Sequence, residues 1–152
     1  RHTRSLSVSW ARRCVSETDT HLHNHPIHAS KDMIADRIDE ALRDWNLDYV
    51  YIATEDAVYC EFFKERYGDK VFFTDQQRYV TRQNELLSEL HRSEEVKRNG
   101  FELGAEYAAS INLLSQCNSL IASGGCGGVD EALRENAGGY EHVYVFDLGT
   151  NR

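Results

Sequence analysis

Residues 101–133 read FELGAEYAASINLLSQCNSLIASGGCGGVDEAL, and no other stretch narrows the possible folds as far. Leu103, Tyr107, Ile111, Leu114 and Cys117 recur at helical spacing, which predicts an amphipathic helix. Residues 119–123 (SLIAS) form a short apolar run consistent with a buried strand. Gly124, Gly125, Gly127 and Gly128 then surround Cys126, and Val129, Ala132 and Leu133 open a new helical face directly after them. Helix, strand, glycine turn and helix in that order belong to a parallel α/β sheet.

A glycine turn at the carboxyl end of such a strand lets backbone N–H groups approach an anion, and the following helix adds the positive end of its dipole. Ser123, Gly124, Gly125, Cys126 and Gly127 are therefore candidates for holding a phosphate-bearing ligand. The spacing is neither G-x-G-x-x-G nor a turn ending in G-K-[ST], so neither common phosphate fingerprint is met. The same glycines also suit a tight turn where a helix packs close to a strand. Both readings stay open.

The rest of the chain continues the alternation. Residues 5–12 (SLSVSWAR) alternate and are β-prone, and predict a first strand. Residues 14–29 have no clean period and read as a long loop on the carboxyl side of that strand, where α/β proteins put their chemistry. Ser30 is a plausible N-cap for a helix marked by Ile34, Ile38, Ala41, Leu42 and Trp45. Residues 48–54 predict a strand, and residues 56–67 a helix stopped by Gly68. Residues 70–74 (KVFFT) predict the third strand and residues 140–148 (YEHVYVFDL) the fifth. Residues 75–100 read as a mobile excursion over one edge of the site. Right-handed crossovers leave few topologies for this order. The expectation is a Rossmann-like three-layer α/β domain with a five-stranded parallel sheet ordered 3-2-1-4-5. The switch point then lies between strands one and four, beside Arg12 and Arg13.

With 152 residues the chain is expected to be one domain, residues 1–152, able to bury a core without staples. A net charge of −8 argues against a non-specific nucleic-acid or membrane-surface binder. Cys14, Cys60, Cys117 and Cys126 show no C-x-x-C spacing, so they read as reduced thiols of a cytoplasmic protein. No apolar run approaches membrane-spanning length. The sequence begins at Arg1 and enters a strand almost at once, which suggests a fragment whose preceding domain is missing.

Several residue types suit particular chemistry. The guanidinium forks of Arg12 and Arg13 would bind diphosphate oxygens bidentately at any working pH, although either can instead pair with Glu17 or Asp19. A carboxylate at Glu17 or Asp19 near a diphosphate leaving group suits a general base, or a solvated loop acid. His21, His23, His25 and His28 resemble a metal cluster, but no Cys or acid completes a known pattern. Glu55 and Asp56 follow a strand and open a helix, where acids suit the helix dipole as well as a ribose or sugar hydroxyl.

Taken in order, Ala11-Arg12-Arg13, His25-Pro26-Ile27, residues 51–56 (YIATED), residues 110–116 (SINLLSQ) and residues 119–124 (SLIASG) resemble one family. It is the carboxyl-terminal, nucleotide-sugar-binding half of the α1,6-fucosyltransferase group, which includes the nodulation fucosyltransferases. The resemblance runs from about Leu6 to Gly149. It implies the carboxyl-terminal half of a GT-B fold holding GDP-fucose, with inverting transfer to a glycan acceptor and no metal or other cofactor required. It further implies that Arg12 and Arg13 grip the diphosphate and that Glu55 and Asp56 match the acidic pair after the strand. Gly125 and Cys126 match a phosphate-side position, and Asp19, or Glu17, the basic carboxylate. Two departures stand out: Trp10 replaces a histidine, and Ser110 stands where the family has a guanine-contacting aspartate. With the amino-terminal, acceptor-side half absent, this stretch alone is expected to be inactive. The rival reading is a non-catalytic nucleotide or nucleotide-sugar binding module.

Overall fold

The computed structural model describes residues 5–9, 27–80, 99–124 and 127–150. Five strands and four α-helices alternate: β1 (Ser5–Ser9), α1 (Lys31–Asp44), β2 (Tyr49–Ala53), α2 (Ala57–Tyr67), β3 (Val71–Phe72), α3 (Gly100–Ser115), β4 (Ser119–Ser123), α4 (Gly127–Asn136) and β5 (His142–Phe146). The strands join in one parallel sheet in the order β3-β2-β1-β4-β5.

That order explains where the helices lie. From β1 the chain steps through α1 and α2 towards β3, and through α4 from β4 towards β5 in the opposite direction. A right-handed crossover taken in opposite directions puts its helix on opposite faces. Two separate cores follow. Ile34, Ala35, Ile38 and Ala41 of α1 and Phe63 of α2 pack with Val50, Ile52 and Ile121 on one face. Ile111 and Leu114 of α3 and Val129 and Ala132 of α4 pack with Tyr51, Ala53, Leu120 and Ala122 on the other. The period of two along β2 thus splits Val50 and Ile52 from Tyr51 and Ala53. Both sets are buried, as a parallel strand with helices on both faces requires.

Local chemistry sets the helix ends. The Ser30 hydroxyl accepts from the Met33 N–H at 3.3 Å and starts α1. Asn99 and Glu102 form a reciprocal capping box at the start of α3. Gly68 has φ 53° and ψ −125°, so it ends α2 with positive φ but outside the left-handed helical region. A short 3₁₀ turn over Gly68–Lys70 follows. This turn uses Lys70, and β3 is only the two residues Val71–Phe72, shorter than residues 70–74. Cys117, expected on the helix, lies beyond its end: the N–H groups of Gln116 and Cys117 reach back to Leu113 and Leu114 in a tightened last turn. Cys60 and Cys117 form no disulfide; Cys14 and Cys126 lie outside the described residues. Among the described residues, no helix is long and apolar enough to cross a membrane.

Where α1 meets α2, the Tyr67 hydroxyl lies 3.0 Å from the Ala35 carbonyl and 2.9 Å from Asp39 Oδ1. Burial, and then the neighbouring Asp39 carboxylate, push its pKa above the ordinary 10.0. The fold therefore favours the protonated form. The stability this adds is full below about pH 10 and is lost as pH rises beyond it. Urea unfolding from about pH 9 to about pH 12 should show a falling midpoint, with a shallower fall for Tyr67→Phe. Equal slopes would rule this contact out.

Candidate functional site

Strand register brings the carboxyl ends to one edge. Ser9 of β1 is level with Ala53 of β2 and Ala122 of β4, and Ser123 with Phe146 of β5. In an open parallel sheet whose order reverses between β1 and β4, ligands bind outside this edge. Here the edge carries a solvent-open recess between the end of β2 and α3. Ala53, Thr54, Glu55 and Gln76 form one side of its lining; Tyr107, Ser110, Ile111 and Leu114 form the other. Its walls are thus largely apolar with a few polar groups, the usual composition of a small-molecule site.

Residues 74–79 cross the end of β2 as a strap. The Gln76 amide nitrogen donates to the Thr54 carbonyl at 2.7 Å. Tyr79 N–H donates to the Glu55 carbonyl at 2.8 Å, and Ala57 N–H to the Tyr79 carbonyl at 3.0 Å. Gln77 N–H reaches Glu106 of α3 at 3.0 Å. Arg78 closes the strap on itself through the Thr74 and Gln76 carbonyls. The expected excursion over the edge is therefore tied down over its first residues; residues 81–98 lie outside the described part.

Of the acidic pair, Asp56 is only 2 % exposed and caps α2. Its carboxylate accepts from the Val58 N–H at 2.7 Å and the Tyr59 N–H at 3.3 Å. That occupies Asp56 in the helix start, the dipole reading of this position. Glu55 instead lines the recess together with Ser110, so the structure brings these two candidates together. Ser110 is buried and bonds with Tyr51 and Gln76.

Ser123 and Gly124 sit at the end of β4 and turn to other partners. Ser123 Oγ is 3.1 Å from His28 Nδ1. Gly124 N–H donates to the Phe146 carbonyl at 2.8 Å, and a Cβ there would lie 3.0 Å from the same oxygen. At Gly124 the close approach of β5 is reason enough for glycine. Gly127 is the exposed first residue of α4. Arg12, Arg13, Glu17, Asp19, Gly125 and Cys126 lie outside the described residues, as do His21, His23 and His25. Among the described residues no group of three or more His, Cys, Asp or Glu is placed to hold a metal ion.

Sequence reasoning missed Gln76, the polar hub of the recess, and the pairing of His28 with Ser123. The one available signal for Gln76 was its place just past the carboxyl end of a strand.

No family model matches the sequence, and no curated protein does. Among solved structures, the chain is similar to NodZ alpha-1,6-fucosyltransferase co-crystallised with GDP, at 14% identity and a TM-score of 0.49. The match covers 86% of this chain and 34% of that one, so this chain spans about a third of that protein's length.

The steric reason for Gly124 has a measurable consequence. Gly124→Ala should destabilise the chain by about 1–3 kcal/mol in urea unfolding, because the blocking atom is backbone and cannot turn aside. An unchanged midpoint would show that β5 can yield.

Proposed function

We propose that this chain is the donor-binding domain of a glycosyltransferase of GT-B type, holding a nucleotide-sugar donor of which GDP-fucose is the leading candidate. The observation that carries this reading is the recess at the carboxyl edge. It has apolar walls for a flat ring and Ser110, Gln76 and Glu55 for polar contacts, at the end of the strand next to the point where strand order reverses. The base would occupy this recess. The diphosphate would extend along the edge towards the turn that begins at Ser123 and Gly124. β1 ends at Ser9 on the same edge, and Arg12 and Arg13 follow shortly in sequence. Their guanidinium groups are the candidates for gripping the diphosphate.

In the proposed reaction Asp19, or Glu17, takes the proton of an acceptor hydroxyl. That oxygen attacks the anomeric carbon from the side opposite the diphosphate, which leaves with inversion. Charge growing on the leaving diphosphate is what Arg12 would stabilise, together with N–H groups of residues 125–127. No step in this scheme calls for a metal. The acceptor would be a glycan, bound by a second, amino-terminal half.

Calorimetric titration with GDP-fucose, GDP and UDP tests the reading. Both guanosine ligands should bind, and Arg12→Ala should weaken them about tenfold or more, with a smaller loss for Arg13→Ala. Absence of heat with all three ligands would refute a nucleotide site. Binding that never leads to transfer in a longer polypeptide would favour the non-catalytic module.

A further inference from the structure

Of the eight asparagines in the chain, only Asn99 is followed by a glycine. A side-chain amide beside a peptide nitrogen that no side chain shields can close a five-membered ring within the backbone. Both residues are exposed. The fold gives no steric reason for Gly100: a Cβ there would meet no atom within 4 Å, and its φ lies outside the left-handed region. Glycine inside a helix costs backbone entropy, and here it gains no packing. What surrounds the pair is a clamp. Asn99 Oδ1 accepts from the Phe101 and Glu102 N–H groups, each at 3.0 Å. Glu102 Oε2 in turn accepts from the Asn99 N–H at 2.8 Å. These bonds hold the Asn99 amide over the first turn of α3. Asn99 ψ is 168°, an extended value that leaves its Cβ and the Gly100 nitrogen staggered about the intervening bond. Ring closure needs them close to eclipsed, so the cap must open first.

We propose that Asn99 and Gly100 form a self-modifying site, where the chain deamidates without an enzyme at a rate set by the capping box of α3. With the cap open, the Gly100 nitrogen gives its proton to water and attacks Asn99 Cγ. The new N–Cγ bond replaces the Cγ–Nδ2 bond, and Nδ2 leaves as ammonia with a proton taken from water. A second water then opens the cyclic imide. Breaking the N–Cγ bond gives an aspartate at position 99. Breaking the bond to the backbone carbonyl carbon gives an isoaspartate, in which the main chain runs through the side chain. Water is the only co-reactant. The aspartate product keeps an acceptor for the two N–H groups and adds negative charge where the α3 dipole is positive, so it holds the helix start. The isoaspartate product adds a methylene to the main chain, moves the carboxylate off those N–H groups and frees the first turn of α3. One event thus has two outcomes for the same helix, whatever the recess holds.

The test incubates the full 152-residue chain in mildly alkaline buffer and follows it by peptide mass spectrometry. Isoaspartate is counted separately, by enzymatic methylation of its free carboxyl. Fragment ions should place a gain of about 1 Da at Asn99, well ahead of Asn118, which precedes Ser119. In Gly100→Ala, which nothing in the fold obstructs, the methyl group shields the attacking nitrogen and conversion should slow by about tenfold or more. Glu102→Ala removes half of the capping box and should speed conversion of the folded chain by about fivefold. In urea the cap is open in both chains. The parent and Glu102→Ala should then convert at one shared rate, above that of the folded parent. If Glu102→Ala does not fold, the ratio of the parent's rates with and without urea supplies the reading. No preference for Asn99 over Asn118 overturns the inference, as does an unchanged rate in Gly100→Ala. Control by the cap is overturned by equal rates in folded parent and folded Glu102→Ala or, where that variant fails to fold, by equal rates for the parent in urea and in buffer.

Discussion

A parallel strand has no face to spare for water, and that requirement governs this molecule. Val50, Ile52, Leu120 and Ile121 are fully buried, so β2 and β4 exist only while helices cover both sides. Sixteen residues of α3 and ten of α4 supply one cover; fourteen of α1 and eleven of α2 supply the other. Because each helix returns the chain to start the next strand in the same direction, the strand ends collect on one edge. The recess is a by-product of that arrangement: it opens where α3 leaves the end of β2 incompletely covered.

Much of this was legible because it is local. Four-residue spacing from Ile34 to Ile38 marks α1, and Ser30 caps it with its own side chain. Asp56 was readable as a helix start for the same reason, since its partners Val58 and Tyr59 are two and three residues away. The apolar run 119–123 is fully buried in β4. The polar heart of the recess was not legible. Gln76 meets Thr54 across 22 residues and Ser110 across 34, and no periodicity records such a pairing. The glycine cluster was ambiguous for a related reason. Crowding by the Phe146 carbonyl and approach to an anion both ask for a missing side chain, and only coordinates reveal the first at Gly124.

The two halves of the candidate site differ in how they are held. Ser110 stands on α3 and Glu55 in the short connection between β2 and α2, both braced by the strap of residues 74–79, so their positions are set by packing and by backbone bonds. Ser123 and Gly124 close a strand, and their bonds reach back to His28 and across to β5. Recognition of a ring belongs with the first group, where shape matters. A flexible charged chain tolerates more variation in position, and the second group suits it.

The stack over β5 has a consequence for the protein in company. Arg37 of α1 lies 4.8 Å from the Trp45 ring and 4.4 Å from the Tyr144 ring, while Trp45 stacks on His142 at 4.7 Å. β5 is an outer strand with Val143, Tyr144 and Val145 exposed, the kind of rim on which further chains can add themselves one after another. A guanidinium laid against that rim puts charge and bulk where a newcomer would have to settle. Losing it would bare that rim, and crowded solutions of such a variant would be more prone to grow into insoluble polymers.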